Sequence, residues 1–324
     1  MNEKINTMKA VVLDRFGGPE ELAMRNIPVP DIGSNDLLIR VEYAGVGEWD
    51  IFEREGGYAE MLGTKPDFPY ILGSEGAGSV AALGEKVRGF NIGDRVYASG
   101  FLNPKGGFYA EYVAQDSKNV SCIPDSITIQ EAGTISGAGL TALRGLDDVL
   151  KLERGESIMI FGASGGVGHL AVQLARNMGA RVFAVASGED GVAMVKKLGI
   201  DAAVNGRKDD ISLAASSFAP DGLDAALLTA GGEIAEIAIQ CVRTGGRVAY
   251  PNGIYPEPQV RPDIRSNGYN CDPDPEIIHR LDNWIKIGNL TVHIDRSFLL
   301  EDAYNAHLAL NNHYLGKLCL RVNY

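Results

Sequence analysis

The sequence predicts an α/β protein with two domains, one rich in β-strands and one built on a doubly wound parallel sheet. Three observations carry this prediction. The chain has 324 residues, which exceeds the length that a single hydrophobic core usually serves. Residues 8–125 combine many Gly and Pro residues with short alternating apolar runs, which is typical of strands and turns. From about residue 130 onward, strand-like runs alternate with segments of helical periodicity.

The β-rich part contains alternating apolar runs at residues 9–13, 37–41, 76–83 and 94–97. Gly-Gly-Pro, Pro-Val-Pro and Gly-Asp-Arg segments separate these runs, which favours a barrel-like arrangement with many turns. A last alternating run, 317–322, is predicted to return to this first domain. We therefore assign residues 1–125 and 295–324 to the β-rich domain and residues 126–294 to the parallel-sheet domain.

Strands and helices alternate strictly within residues 126–294. After a buried-strand run at 158–161, apolar residues recur at helical spacing until Gly179, a typical residue at a helix end. The pattern predicts further strands at 182–186, 202–204, 223–229, 247–250 and 290–294. It predicts further helices at 191–198, 209–218, 234–242 and 275–287. Such alternation implies right-handed βαβ units and a parallel sheet of about six strands.

Composition excludes several classes of protein. A net charge of −12 argues against nucleic acid as a partner, because neutralising phosphates requires clustered Lys and Arg. The four cysteines are far apart and show no C-x-x-C spacing, so neither a disulfide framework nor a structural zinc site is expected. No apolar run approaches the ~18 residues of a membrane span, and the N-terminus lacks the apolar core of a signal peptide. We expect a cytoplasmic protein that binds no membrane.

The stretch FGASGGVG, residues 161–168, allows two interpretations. Gly162 to Gly166 match G-x-S-x-G, the turn that exposes the nucleophile Ser164 in α/β-hydrolases. Alternatively, Gly162, Gly165 and Gly168 form the glycine pattern of a dinucleotide site. A strand precedes the stretch and a helix follows it, which the dinucleotide site requires, whereas no H-G-G-type oxyanion turn lies upstream. The dinucleotide interpretation is therefore preferred, with Ser164 as a small residue of the phosphate loop.

The end of the next strand indicates which dinucleotide is bound. An NAD enzyme usually places an acidic residue there to bind the ribose 2′-hydroxyl. Ser187 and Gly188 occupy the place, with Glu189 and Asp190 just beyond. This small neutral pair leaves room for a 2′-phosphate, and Arg207 could supply its counter-charge. NADPH is predicted in preference to NADH; the alternative is that Arg207 is a solvated loop residue.

Several motifs in order along the chain resemble the medium-chain dehydrogenase/reductase superfamily, specifically its zinc-free quinone oxidoreductase (zeta-crystallin-like) branch. They are LGSEGAG at 72–78, GDRV at 93–96, GGFYAEY at 106–112, GLTA at 139–142, ASGGVG at 163–168, and AH at 306–307 followed by GKL at 316–318. Each motif is weak alone, whereas the ordered set covers nearly the whole chain. The resemblance implies a GroES-like catalytic domain beside a Rossmann domain, no metal, and a homodimer.

The resemblance also identifies substituted positions. Zinc alcohol dehydrogenases carry Cys, His and Cys where this chain has Gly47, Ser74 and Gly137, so no zinc ligands remain. Quinone oxidoreductases often carry Asn and Tyr at the positions of Gly47 and Phe52, and this chain has neither. Nearby candidates to line the pocket for the molecule that is reduced, the hydride acceptor, are Tyr43, Trp49 and Tyr58. Glu48 and Asp50 are further polar groups there. The alternatives are that Trp49 is a core residue and that Tyr58 is a surface loop tyrosine.

The resemblance further implies the cofactor contacts by position. The backbone of Ser164, Gly165, Gly166 and Val167 is expected at the pyrophosphate, and Thr141 on the nicotinamide side. Further contacts are expected at two strand ends and in the closing strand: Thr229, Ala230, Gly231, Pro251, Asn252, Gly253 and Lys317. His307 is expected to pack or to cap locally. The segments 56–70 and 252–274, the latter expected to be a loop, are predicted to shape substrate choice.

Together these features predict a zinc-independent, NADPH-dependent reductase that transfers hydride to a small electrophilic acceptor, either a quinone or an α,β-unsaturated carbonyl compound. One alternative is an enone or alkenal reductase specifically. Another is an NADPH-binding protein with little catalytic activity, which the loss of the Asn and Tyr positions favours. A serine hydrolase that uses Ser164 is the third.

Overall fold

The computed structural model describes residues 6–63 and 66–323, which form two compact units. The first unit comprises the described residues up to Gly137, together with Pro273–Asp282 and the chain from Val292 onward. The second unit comprises Ala138–Asp272 and Asn283–Thr291. The domain bounds given above, which divide the chain after residues 125 and 294, remain a prediction.

The strands follow one another in chain order as β1 Thr7–Leu13, β2 Ala23–Pro28, β3 Asp36–Val46, β4 Tyr70–Ile71, β5 Glu75–Leu83, β6 Arg95–Ser99, β7 Tyr112–Asp116, β8 Val120–Cys122, β9 Ser157–Phe161, β10 Arg181–Ala186, β11 Ala202–Asn205, β12 Leu223–Leu228, β13 Val242–Pro251, β14 Arg265–Tyr269, β15 Ile294–Leu299 and β16 Lys317–Arg321. The α-helices are α1 Glu48–Arg54, α2 Gly57–Leu62, α3 Ile129–Leu143, α4 Gly168–Asn177, α5 Gly188–Lys196, α6 Ile211–Phe218, α7 Glu233–Gln240, α8 Pro275–Gly288 and α9 Ala303–Leu310. A π-helical segment, Arg144–Val149, directly continues α3. None of the helices in the described part of the chain is both long enough and apolar enough to cross a bilayer.

The first unit is built from two sheets. One has the order β2-β1-β4, and the other has the order β15-β16-β3-β5-β6-β8 with β7 paired to β3. Strand β3 supplies buried Leu37, Ile39 and Val41 at alternate positions, which is the period of a half-buried strand. The predicted return of the C-terminal strand is confirmed, because β16 pairs antiparallel with β3. The GroES-like unit of the predicted fold class is therefore present.

The second unit contains a six-stranded sheet of order β11-β10-β9-β12-β13-β14, in which all neighbouring strands are parallel. The order reverses between β9 and β12, which is the switch point of a doubly wound fold. Its core on one face includes Met159, Phe183 and Leu228, each almost fully buried. The predicted parallel sheet is therefore confirmed.

The sixth strand is not the predicted one. Residues 290–294 were expected to form it, but only Ile294 is in a strand, namely β15, which pairs with β16 in the first unit. The sixth strand is β14, within the segment 252–274 that was expected to be a loop. Its sequence, RSNGY, has no apolar alternation because it has a single neighbour, β13, at the edge of the sheet. Leu290 and Val292 are buried although they belong to no strand, which explains their apolar pattern.

Candidate functional site

The loop between β9 and α4 is kept compact by its glycines. Gly162 has a φ of +78°, a left-handed conformation that favours glycine. A Cβ at Gly162 would lie under 3.0 Å from the Thr229 hydroxyl oxygen, and a Cβ at Gly168 equally close to the Gly162 carbonyl oxygen. A Cβ at Gly165, in contrast, would have only the Gly162 carbonyl oxygen within 4 Å, at 3.4 Å. Gly165 therefore leaves open space beside the loop, which allows a ligand to approach the backbone.

Helix α4 begins at Gly168, directly after the loop residues Ser164, Gly165, Gly166 and Val167. The first N–H groups of a helix lack acceptors within the helix, and the helix dipole favours negative charge at this end. The open position at Gly165 and the helix start together fit the pyrophosphate of a dinucleotide. The structure thus brings these four predicted residues together in a suitable arrangement.

The side chain of Ser164 has a structural role. It is 4% exposed, and its Oγ accepts a hydrogen bond from the Ser187 N–H at 3.1 Å. The nearest histidine in sequence, His169, has its Nδ1 2.8 Å from the Gly165 carbonyl oxygen. Ser164 therefore connects the glycine loop to the end of β10, and this geometry argues against a serine nucleophile.

Asn205 organises the ends of β10 and β11, a role that sequence reasoning missed. It is 5% exposed, and its Oδ1 accepts the N–H groups of Gly188 at 3.2 Å and Arg207 at 3.1 Å. Its Nδ2 donates to Glu189 at 3.2 Å, and the same carboxylate lies 3.3 Å from the Lys208 ammonium. Asn205 thereby places Arg207 beside Gly188. The one available signal was a polar residue directly after the predicted strand 202–204.

The carboxyl ends of β12 and β13 carry most of the remaining predicted contacts. Thr229 follows β12, and its hydroxyl donates to the Phe161 carbonyl oxygen at 2.8 Å. Asn252 follows Pro251, the last residue of β13, and its N–H donates to the Tyr269 carbonyl oxygen at 2.8 Å. Since parallel strands share one carboxyl edge, these residues lie on the edge that carries the glycine loop. The same edge includes Ala230, Gly231 and Gly253.

Thr141 is fully buried in α3. Its carbonyl oxygen accepts a hydrogen bond from the Tyr269 hydroxyl at 2.9 Å. Because Tyr269 is the last residue of β14, this bond connects α3 to the same carboxyl edge. Fourteen of the predicted cofactor residues therefore belong to one unit, and only Lys317 among the predicted contacts belongs to the other.

Lys317 forms a buried ion pair in the first unit. Its Nζ lies 2.5 Å from Glu75 Oε1, and the two side chains are 4% and 1% exposed. The other carboxylate oxygen of Glu75 accepts the Gly137 N–H at 2.7 Å. The Lys317 ammonium also lies 5.7 Å from the ring centroid of Trp49, within reach of a cation–π interaction. We refer to Glu75, Lys317 and Trp49 as the Glu75 cluster; its contact with a cofactor remains a prediction.

The indole of Trp49 lies against two of the positions that hold cysteines in zinc alcohol dehydrogenases. A Cβ at Gly137 would be 3.1 Å from Trp49 Cζ2, and a Cβ at Gly47 would be 3.4 Å from Trp49 Nε1. The buried Nε1 has no hydrogen-bond partner in the described part of the chain. No group of three or more His, Cys, Asp and Glu residues among residues 6–63 and 66–323 could hold a metal ion. The donor set at this position therefore does not fit zinc.

The two predicted tyrosines belong to different elements. Tyr58 belongs to α2 rather than to a loop, which corrects the expectation of a surface loop tyrosine. Its ring packs edge-to-face against Phe52 and Phe101, with centroids 4.6 and 4.5 Å away. Tyr43 lies in β3, half-buried, opposite Arg321 of β16. Tyr58 thus belongs to an aromatic cluster that the sequence analysis did not predict.

Helix α1 buries two carboxyl groups. Asp50 is 1% exposed and Glu53 is 4% exposed. Burial and the neighbouring Glu53 raise the pKa of Asp50 well above its usual range, although the Gly47 N–H donates to Asp50 Oδ2 at 2.7 Å. Burial raises the pKa of Glu53 from 4.5 to about 7, against the opposing hydrogen bond from the Tyr70 hydroxyl. In sequence both residues resemble ordinary solvated helix charges, so their burial was not predicted.

His307 of α9 is fully buried and contacts Arg54 of α1. Burial and the adjacent Arg54 guanidinium lower its pKa from 6.5 to about 3. Arg54 Nη1 lies 2.9 Å from His307 Nδ1, and since a guanidinium can only donate, Nδ1 accepts. The proton of the neutral ring is therefore on Nε2, which lies 3.3 Å from the Tyr109 hydroxyl. His307 thus fastens α9 to α1, as its expected packing role implied.

Family models match both parts of the chain. Residues 33–125 match the alcohol dehydrogenase GroES-like domain, and residues 166–261 match the zinc-binding dehydrogenase model. The quinone oxidoreductase of Lama guanicoe is 32% identical over 245 residues, which are 74% of this chain and 72% of that protein. The human quinone oxidoreductase is 35% identical over 202 residues, 62% of this chain and 59% of that protein. The 2-methylene-furan-3-one reductase of Solanum lycopersicum is 30% identical over 295 residues, 89% of this chain and 71% of that protein.

Solved structures extend the likeness to nearly the full chain. The quinone oxidoreductase from Coxiella burnetii superposes with a TM-score of 0.85 at 29% identity, covering 98% of this chain and 100% of that one. A mycobacterial protein solved in complex with NADPH superposes with a TM-score of 0.84 at 25% identity, covering 97% and 99%. These matches agree with the fold, the glycine loop and the motif order. The chain belongs to the medium-chain dehydrogenase/reductase superfamily of oxidoreductases, in its quinone oxidoreductase branch.

Proposed function

We propose that this protein is a zinc-independent, NADPH-dependent reductase of quinones or α,β-unsaturated carbonyl compounds. The observation that carries the proposal is the position of the Trp49 indole against Gly47 and Gly137, where zinc-dependent relatives carry cysteines. An enzyme without zinc ligands cannot activate an alcohol as a zinc alkoxide. Reduction of an electron-poor acceptor requires no such activation, and relatives named quinone oxidoreductase support this choice.

The second unit supplies the residues that would hold NADPH. Gly165 and the start of α4 offer a place for the pyrophosphate, while Ser187, Gly188 and Arg207 surround the predicted position of the 2′-phosphate. Glu189 is bound by the Asn205 amide and lies beside Lys208. The charge of Arg207, whose side chain has no carboxylate partner in the described residues, remains available for a phosphate. Bound NADPH supplies the hydride.

The chain's own residues have two tasks in this reaction. They must orient the acceptor, and they must donate hydrogen bonds to its oxygen as negative charge develops there. The buried Trp49 N–H, which lacks a partner, and the adjacent Lys317 ammonium are the donors that we assign to this oxygen. Tyr43 and the aromatic cluster of Tyr58, Phe52 and Phe101 would contribute apolar surface for the acceptor.

Turnover and binding assays together test the reaction. Intrinsic tryptophan fluorescence should report binding of NADPH, and NADPH absorbance should fall when 1,2-naphthoquinone is added. Tight binding without oxidation of NADPH by the quinone or by an alkenal would refute the enzyme and favour a binding protein. Esterase activity that is lost in Ser164→Ala would instead support a hydrolase.

An enone or alkenal reductase is the second candidate. The tomato 2-methylene-furan-3-one reductase matches a larger share of this chain than the two quinone oxidoreductases compared by sequence, 89% against 74% and 62%. The ratio of kcat/KM for an alkenal to that for 1,2-naphthoquinone discriminates between the two. A ratio above one supports the enone reductase, and a ratio below one supports the quinone reductase.

Cofactor preference has a separate test in Arg207. Arg207→Ala should raise the Kd for NADPH and leave that for NADH unchanged, because only NADPH carries the 2′-phosphate. Arg296→Ala, an exposed cation in the first unit, serves as the matched control. Equal affinity for the two dinucleotides in the wild type, unchanged in Arg207→Ala, would refute the NADPH assignment.

A further inference from the structure

A cavity of about 190 Å³ in the second unit is lined with positive charge. Its walls come from the residues around the end of the π-helical segment and from strands β13 and β14, and they are Val149, Leu150, Lys151, Arg247, Val248, Arg265 and Asn267. Three of these side chains are cationic, and none is a carboxylate. A concentration of cations stands out in a chain whose net charge is −12, because charges of both signs would be expected on an ordinary face.

The register of the sheet forces two of these cations together. Arg247 of β13 pairs directly with Arg265 of β14, so the two side chains leave the same face of neighbouring strands, which lie ~4.8 Å apart. Like charges placed side by side on a sheet are destabilising unless they are compensated. Glu156 compensates Arg247, since its Oε2 lies 2.5 Å from Arg247 Nη2. In the part of the chain that the structure describes, neither Arg265 nor Lys151 has an ion-pair partner.

Two further observations mark the cavity as a place for a ligand. Arg247 Nε is buried without a hydrogen-bond partner among residues 6–63 and 66–323, and a buried donor without a partner is unfavourable. Lys151 has a φ of +49°, a left-handed conformation that is uncommon for a residue other than glycine. Such conformations are concentrated at functional sites. An anion in the cavity would use the uncompensated charges of Lys151 and Arg265.

We propose that this cavity binds the phosphate group of a small molecule. Guanidinium groups recognise phosphate oxygens in a bidentate manner, and Lys151 and Asn267 add a point charge and an amide donor. The volume is several times the ~30 Å³ of one water molecule, which gives room for a phosphate with attached atoms. The site differs from the dinucleotide edge, because Arg247 lies four residues before Pro251 along β13, which corresponds to ~13 Å. The proposal does not depend on the reductase function.

Thermal unfolding in the presence of inorganic phosphate tests the site. Phosphate should raise the unfolding midpoint of the wild type above that in sodium chloride of equal ionic strength. The increase should fall by at least half in the double variant Lys151→Gln/Arg265→Gln, which removes both uncompensated charges. It should persist in Arg25→Gln/Arg296→Gln, which removes the same charge from exposed positions of the first unit. Glycerol phosphate in place of inorganic phosphate shows whether a phosphomonoester is preferred.

Binding at the glycine loop must be separated from binding in the cavity. With saturating NADP⁺, the effect of phosphate should remain in the wild type and should still be reduced in Lys151→Gln/Arg265→Gln. Loss of the effect on addition of NADP⁺ would place phosphate at the glycine loop and overturn the proposal. Equal increases in the three proteins, or an equal increase in sodium chloride, would overturn it as well. The failure of NADP⁺ to bind would contradict only the reductase proposal.

Discussion

At the scale of single residues, Glu75 holds the charged cluster of the first unit together. Its carboxylate contacts the Lys317 ammonium at 2.5 Å and the Gly137 N–H at 2.7 Å, and both charged side chains are almost fully buried. Removing one partner of a buried ion pair leaves the other charge uncompensated in a medium of low dielectric. The pair is therefore expected to be far more sensitive to a single substitution than the exposed ion pairs of the surface.

Glu75→Gln should lower the free energy of unfolding by about 3–5 kcal/mol, because Lys317 keeps its charge and loses its counter-charge. Urea denaturation measures the change, and Glu85→Gln, at an exposed position, should have almost no effect. The double variant Glu75→Gln/Lys317→Met should recover part of the loss, since neither charge remains. A loss below about 1 kcal/mol in Glu75→Gln would show that the two groups do not form a tight buried pair.

Glu53 makes stability depend on pH near neutrality. Burial raises its pKa from 4.5 to about 7, so the folded protein holds this proton more tightly than the unfolded chain. The associated stability is fully present below pH 4.5 and is lost as the pH rises through 7, a difference of about 3 kcal/mol. Gln carries no titrating proton. The free energy of unfolding of Glu53→Gln, relative to that of the wild type, should therefore rise by about 2 kcal/mol between pH 5.5 and pH 8.

Urea denaturation at a series of pH values tests this prediction. The difference between Glu53→Gln and the wild type should increase steadily with pH, while Glu60→Gln, an exposed carboxylate of α2, should show no trend. If the difference in the free energy of unfolding between Glu53→Gln and the wild type stayed constant over this pH range, Glu53 would have the same pKa in the folded and unfolded states.

At the scale of elements, Gly165 in the glycine loop and Gly168 at the start of α4 have different roles. Gly168 allows α4 to start close to the loop, because a Cβ there would clash with the Gly162 carbonyl oxygen. Gly165 faces open space instead. Gly168→Ala should therefore destabilise the fold by about 1–3 kcal/mol. Gly165→Ala should change stability by less than about 0.5 kcal/mol and weaken NADPH binding by about tenfold or more.

Thermal unfolding and fluorescence titration with NADPH separate these two effects. Each variant adds one methyl group, at Gly165 in the loop or at Gly168 at the start of α4. If Gly165→Ala bound NADPH as tightly as the wild type, the pyrophosphate would not approach the loop on that side. If Gly168→Ala were as stable as the wild type, the close approach of helix and loop would not be needed.

Sequence patterns predicted elements where the chemistry of the side chains matches their burial. The apolar run of β9 and the spacing of α4 were sufficient, because β9 is buried along its whole length and α4 is buried from Gly168 to Ala175. Strand β14 was missed because an edge strand needs no apolar alternation. The burial of Asp50 and Glu53 was also missed, since it depends on tertiary contacts such as the hydrogen bond from the Tyr70 hydroxyl to Glu53.

At the scale of the whole molecule, the protein combines an acidic overall charge with local positive sites. The net charge of −12 does not attract a polyanionic cofactor, so the proposal assigns the affinity for NADPH to Arg207 and to the oriented N–H groups of the glycine loop. The glycine loop and its place between β9 and α4 could be predicted from sequence because glycine spacing and strand ends are local features. The acceptor-side residues could not, since the place of the zinc ligands was taken by Trp49 through a contact that depends on the folded chain.

The central claim is that reduction proceeds without zinc, and turnover with metal analysis tests it most directly. NADPH oxidation by 1,2-naphthoquinone should be measured on protein of known zinc content, before and after treatment with 1,10-phenanthroline. The account predicts acceptor-dependent oxidation of NADPH by protein with far less than one zinc per chain, at a rate that the chelator leaves unchanged. One zinc per chain together with loss of turnover on chelation would contradict it.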